Sequence, residues 1–264
     1  MGTLVKNELF KLRKKSSTWI MILLMFVIML LGPILTILSG SEVMSYTAIS
    51  SAGALWLVVT LISSAGSILS MEYEYGTIKE LFASKYSRGK ILISKWFTIF
   101  IYSIILNILL VVYTGIIYYA GRLLTTNMSF TWSENAISGE TVTTMTESFL
   151  RMLASDFINA WLVISVVFLL ASIIKKSSLA VTLGLVFFLT SSMISSLLSS
   201  LMKLTNLDWL KYTPFNMLFL NFNESTASLE KVAHLNATQL GIGSLIYIII
   251  FLIIGLLFYR RKEV

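Results

Sequence analysis

The sequence contains no cysteine, which excludes disulfides, thiolate metal sites and a cysteine nucleophile. Histidine occurs once, as His234, in a polar stretch far from the other candidate groups, so it reads as a loop residue rather than a general base or metal ligand. No GxxxxGK[ST] phosphate loop and no HExxH occur, so no nucleotide or zinc site is visible. An aspartyl intramembrane protease would need two membrane aspartates. Only Asp156 lies near an apolar run, and Asp208 lies outside one. Charged residues make up 12% of the chain and hydrophobic ones 56%, where a soluble domain carries about a quarter charged. The mean hydropathy of +0.85 agrees. Catalysis within this chain is not expected; a membrane protein is.

The net charge of +7 would suit nucleic acid if it were clustered on one surface. Instead the basic residues sit at the ends of apolar runs, where they mark topology. The runs are far longer than the roughly ten-residue alternating strands of a membrane barrel. An all-α membrane protein with six spans follows, as one transmembrane domain over residues 1–264. The spans are Trp19–Leu38, Ile49–Leu69, Phe97–Tyr119, a fourth ending at Ile174, Leu179–Met202 and Leu240–Phe258. The first run continues past the length of a signal-peptide core and lacks a small-residue cleavage site, so it is expected to be retained. Gly32-Pro33 predicts a kink or early end in span 1. Span 2 is rich in Ser, Ala and Gly, which allow close helix contact in lipid; burial inside the bundle is expected. Span 4 starts either at Asp156 or, as a longer tilted helix, near Phe149, because Arg151, Asp156 and Asn159 interrupt its apolar character.

Before span 1, residues 4–17 read as an amphipathic helix at the membrane surface. Val5, Leu9 and Leu12 fall on one side, and Lys6, Lys11, Lys14 and Lys15 on the other. Residues 122–149 and 203–239 form the two large regions on the opposite side. Within the second, Trp209–Phe222 is aromatic and shorter than the roughly 20 residues a span needs. It reads as an interfacial or re-entrant segment, or as a plain aromatic-belt loop.

Lysine and arginine test the orientation. Five precede span 1, five lie between spans 2 and 3, two follow span 4 and three follow span 6, so one side holds 15 of the 20. That bias predicts both termini and the loop between spans 2 and 3 in the cytoplasm.

The loop region Met71–Trp96 is mixed and charged, with Ile78, Leu81, Phe82 and Tyr86 at spacings that give a helix one apolar side. Gly76 and the corner Ser87-Arg88-Gly89 bound it. It reads as a docking element over residues 71–90. Glu72 and Glu74 either cap the helix start or pair with a basic partner surface. Leu81 and Phe82 are the apolar anchors. Arg88, Lys90 and Lys95 reach either the partner or lipid headgroups. Asn107, Asp156 and Asn159 are polar groups at membrane depth, expensive unless paired. The asparagines either join helices or line a path for cargo, and Asp156 with Arg151 would form an interfacial pair.

The run Glu72-Tyr73-Glu74-Tyr75-Gly76-Thr77-Ile78-Lys79-Glu80-Leu81, continuing to Ser87-Arg88-Gly89-Lys90 and Lys95, resembles the glutamate, glycine-threonine, leucine, arginine, lysine pattern after span 2 in type-2 permeases of ATP-binding-cassette exporters. The six-span layout and the basic N-terminal segment are similar over nearly the whole chain. The family's proline before the arginine is missing from Ala83–Arg88, which marks a divergent member. The resemblance implies that residues 71–90 hold the coupling helix, with Glu72, Glu74, Gly76, Thr77, Leu81, Phe82 and Arg88 as coupling residues resting in a groove on a separate ATPase. It implies two ATPase copies that bind ATP and Mg, a second permease chain, identical or homologous, and no cofactor on this chain. It further implies a bacterial cell membrane and amphipathic peptide, antimicrobial or drug cargo. Outside that resemblance stand a non-transporting sensor or immunity protein that binds a peptide or lipid, and an ion-driven transporter. The latter would show internal repeats and midplane charges, and the sequence shows neither clearly.

Overall fold

The structure, a computed structural model, describes residues 2–38, 43–74, 76, 86–124, 129–131, 145–174, 176–205 and 208–261. Among them the order is α1 (Gly2–Lys14), α2 (Ser16–Leu38), β1 (Val43–Ser45), α3 (Tyr46–Glu74), α4 (Arg88–Leu124), β2 (Ser129–Thr131), α5 (Met145–Ile173) and α6 (Ser177–Thr205). A 3-10 turn (Asp208–Tyr212), α7 (Pro214–Met217), α8 (Thr226–Val232) and α9 (Ala237–Arg261) complete it. Six helices, α2 to α6 and α9, are long and apolar enough to cross a membrane. The fold is therefore an all-α six-span bundle in which both termini lie at one end, here called the terminal end.

Helix ends differ from those read off hydropathy, for a physical reason. Hydropathy marks where apolar side chains stop, whereas a helix stops where its backbone hydrogen bonds do. α3 runs on to Glu74 and α4 begins at Arg88, so both flanks of the expected docking block belong to span helices. The 37 residues of α4 reach about 55 Å at 1.5 Å per residue, well beyond a roughly 30 Å hydrocarbon core. Span 4 takes the longer of its two readings, since α5 is continuous from Met145. Pro33 lies within α2 and does not end it.

The centre of the bundle is α3 and α5, each with 61% of its apolar window buried, against 17–33% in the other four spans. The expectation that span 2 is internal holds, and the small residues explain it. A Cβ on Gly66 would come within 2.7 Å of Val181 Cγ2 and 3.3 Å of the Val181 backbone N, so α3 and α6 meet at van der Waals distance. Gly53 lies equally close to Met29 of α2. Indole donors join neighbouring helices: Trp56 Nε1 donates to the Met21 carbonyl at 3.0 Å, and Trp161 Nε1 to Ser103 Oγ at 3.2 Å. α9 packs mainly along α5.

At the end away from the termini, β1 and β2 pair in parallel, Val43 opposite Ser129, and knit two loops together. Trp209–Phe222 is not a span. It folds as the 3-10 turn, α7 and a further turn, packed against the ends of α6 and α9. Asn216, fully buried, holds it: Nδ2 donates to the Lys211 carbonyl at 2.7 Å and to that of Ala233 at 2.8 Å.

Candidate functional site

Among the described residues the densest cluster of charged side chains lies at the terminal end, where α1 crosses the end of α3 and the start of α4. Glu8 and Leu12 are four residues apart, so they share one helix face, and both are buried. Glu8 is the only acidic residue before Glu42. It is turned onto Lys95, whose side chain is 1% exposed, and Glu72 closes the cluster from α3.

Lys95 Nζ donates to Glu72 Oε1 at 2.7 Å, to the Ile68 carbonyl at 2.9 Å and to Glu8 Oε2 at 3.2 Å. An ammonium has three donors, and all three are used. Lys11 adds a second bridge, 2.8 Å from Glu8 Oε1 and 3.3 Å from Glu72 Oε1. Two carboxylates and two ammonium groups leave the cluster neutral. Burial alone would raise the Glu8 carboxyl, but the charges and hydrogen bonds of Lys95 and Lys11 together hold it below its ordinary value. Burial pulls Lys11 down, and Glu8 and Glu72 outweigh it, holding that ammonium above the ordinary lysine value.

The segment between α3 and α4 is tied at both ends. Glu74 Oε2 accepts the backbone N–H of Ser177 at 3.4 Å, at the start of α6, where a helix end favours an anion. Gly76 has φ +72°, left-handed backbone of the kind that commonly ends a helix with glycine. At the other end the Tyr86 hydroxyl lies 3.4 Å from Thr3 Oγ1, and Arg88 donates to the Arg260 carbonyl at 3.2 Å. A Cβ at Gly89 would press on the Arg260 guanidinium, 2.8 Å away. Four elements, α1, α4, α6 and α9, thus hold the flanks of this segment. Thr77, Leu81 and Phe82, three of its expected coupling residues, lie outside the described residues.

Several sequence-derived pairings need correction. Lys95 reaches neither a partner surface nor headgroups, because α1 covers it. Glu72 is buried against lysines of its own chain. Arg151 pairs with Glu147 one turn away at 2.5 Å rather than with Asp156. Asn107 donates to the Ser103 carbonyl of its own helix at 2.9 Å and joins no second helix by that bond. Asn159 does join elements, donating to the Leu220 carbonyl at 3.0 Å. Asn107 and Asp156 come together from α4 and α5 on one hollow of about 10 Å³, no wider than one water. Glu8 escaped the sequence reading altogether. The available signal was a lone acid on the apolar face of a basic helix. Among the described residues no three His, Cys, Asp or Glu side chains gather in a metal-binding group.

A family model described as "ABC-2 family transporter protein" matches residues 4–191, from α1 into α6, and so contains the whole cluster. The chain belongs to that family. It is also similar to the protein YhcI of Bacillus subtilis (strain 168), itself described as uncharacterized, at 23% identity over 230 residues, covering 86% of this chain and 70% of YhcI. As an ABC-2 family member the chain is a membrane permease subunit and not an enzyme, and the ATP-binding site belongs to a partner subunit.

Proposed function

We propose that this chain is the permease of a bacterial ATP-driven exporter, with both termini cytoplasmic and residues 71–90 forming the coupling element that meets the ATPase. The observation that carries this reading is the double anchoring of the segment between α3 and α4 to α1, α4, α6 and α9. A push on a segment held this way displaces several spans together, as coupling between distant sites through a rigid element requires. Leu81 and Phe82 supply the apolar anchor in the ATPase groove, with Thr77 and Gly76 setting the turn before it. Glu72 acts inward, fixing the element to the bundle, while Glu74 ties it to α6 and Arg88 to α9. α1 lies in the inner interface with the exposed Lys6 and Lys14 toward lipid headgroups.

The working unit contains two permease chains, identical or homologous, and two ATPase chains. Closure of the ATPase dimer on ATP and Mg drives residues 71–90, and α3 and α4 follow. The cargo is an amphipathic peptide, antimicrobial compound or drug. Asn107 and Asp156, facing one hollow between α4 and α5, are the polar groups such a cargo would meet.

The test is ATPase turnover of the complex in lipid nanodiscs, with and without amphipathic peptides, comparing the native chain with Leu81→Ala/Phe82→Ala. Glu72 is left intact, because its loss would disturb the bundle itself. An ATPase that co-purifies and loses cargo stimulation in the variant supports the reading. Failure of the native chain to retain any ATPase in mild detergent would sink it in favour of a non-transporting sensor or immunity protein.

A further inference from the structure

The charged cluster leaves one cation over. Lys15, in the joint between α1 and α2, is half-buried, and among the described residues no carboxylate lies within ion-pair reach of it. Its ammonium donates to Ser67 Oγ at 3.0 Å and approaches Met71 Sδ at 3.9 Å. A neutral hydroxyl and a thioether are weak acceptors for an ammonium with three donors. Ser67 Oγ in turn donates to the Ser64 carbonyl at 3.2 Å, so its lone pairs face the lysine. Burial holds the Lys15 ammonium below the ordinary lysine value with nothing to oppose it.

The group opens on a cleft of about 310 Å³ between α1 and α3, whose remaining wall is largely Leu12, Ile68 and Met71. Glu8 and Glu72 also border it but are neutralised by Lys95 and Lys11, so the free charge facing the cleft is positive. One turn further along α2 the surface becomes apolar and exposed, with Trp19, Ile20 and Leu23. A tryptophan in that position marks headgroup depth. A phosphate near Lys15 would continue naturally into acyl chains lying along α2.

We propose that this cleft is a specific site for one anionic glycerophospholipid, its phosphate accepting from Lys15 and its glycerol region resting on Leu12 and Met71. A free anion would use the lysine but gain nothing from the apolar wall, and an acidic side chain of a partner protein would have no use for the exposed face of α2. The general attraction of a basic helix for anionic membranes is a separate effect. Lys14, whose exposed ammonium lies over the Phe10 ring at 5.7 Å, would contribute to that effect alone.

The experiment is native mass spectrometry of the delipidated full chain with phosphatidylglycerol, phosphatidylcholine or inorganic phosphate added back, together with melting temperature. One phosphatidylglycerol should be retained per chain and should raise the melting point, with phosphatidylcholine and phosphate inactive. Lys15→Gln should lower occupancy about tenfold or more, the scale of one lost charge-assisted hydrogen bond, while Lys14→Gln keeps it. Met71→Trp, which fills the cleft without changing charge, should also expel the lipid and covers the case in which Lys15→Gln misfolds. Equal retention by all variants, or equal retention of phosphatidylcholine, overturns the proposal. Protection by phosphate alone would make it a free-anion site and overturn the lipid assignment. Loss of ATPase binding in Lys15→Gln with lipid retention unchanged would assign the cleft to a partner carboxylate instead. The lipid readouts need no ATPase, so they stand or fall apart from the exporter reading.

Discussion

Lys95 Nζ lies 2.7 Å from Glu72 Oε1, joining the last turn of α3 to the first turns of α4 across the 13 residues that separate the two in sequence. With the side chains 1% and 10% exposed, this is a buried ion pair, and such pairs respond asymmetrically to substitution. Removing one partner leaves an uncompensated buried charge, whereas removing both can be nearly neutral.

Lys95→Met is therefore expected to cost about 3–5 kcal/mol of bundle stability, seen as a lower melting point in detergent. The triple variant Lys95→Met/Glu8→Gln/Glu72→Gln should recover most of that loss. A triple variant no better than the single would show that the cluster's geometry, rather than its charge balance, holds α1. Lys11→Ala should cost less than about 1 kcal/mol, because that side chain is 57% exposed.

Docking of α1 should depend on pH at both extremes. Glu8 is held below its ordinary 4.5, so its stabilisation is fully present above that pH and fades as pH falls through the lower folded value. Lys11 is held above 10.5, so its share is full below that pH and fades as pH rises through the folded value. The chain has no cysteine, so spin labels at Asn7→Cys and Ser178→Cys would report the α1–α6 distance directly. A constant distance between these limits and a broadened one in acid are expected, with Glu8→Gln altering the acid limb.

Gly66→Val should destabilise by about 1–3 kcal/mol through overpacking, since the new side chain meets both the side chain and the backbone of Val181. Gly115→Ala is the control. It meets nothing within 4 Å and should leave the melting point unchanged or slightly raised.

Asn216→Leu removes the donor shared by the buried Ala233 carbonyl and the half-buried Lys211 carbonyl. A cost of about 1–3 kcal/mol is expected, concentrated in the cap. Faster proteolysis between residues 205 and 236, with the spans still protected, would show it. Uniform loss of protection would mean that the cap is integral to the bundle.

The six spans and the internal place of span 2 were legible in the sequence because long apolar runs and small residues are local signals. Helix ends were not, since the charged residues Glu72, Glu74, Arg88, Lys90 and Lys95 sit on helices that outrun their uninterrupted apolar stretch. The pairing of Glu8 with Lys95 was invisible for a different reason. Periodicity places Glu8 on the face of Leu12, but nothing local states what lies 87 residues further along. Charge alone assigned Lys95 to a partner surface or lipid headgroups, and only the crossing of α1 over α4 reverses that. Asn107 and Asn159 look equivalent by composition. One bonds within its own helix and the other across to Leu220.

The order of residues in the buried cluster also bears on how the chain is made. Glu8 and Glu72 leave the ribosome before Lys95, so a nascent chain with two spans inserted holds two carboxylates facing each other with only Lys11 between them. α1 has no buried seat until the start of α4 arrives. The N-terminal helix should thus stay loose through early insertion and lock only with the third span, so that its docking reports correct topology. A ribosome-arrested chain ending before residue 95 should leave Leu12→Cys open to labelling reagent, and one long enough to release residue 124 should protect it, since Leu12 is buried once α1 docks.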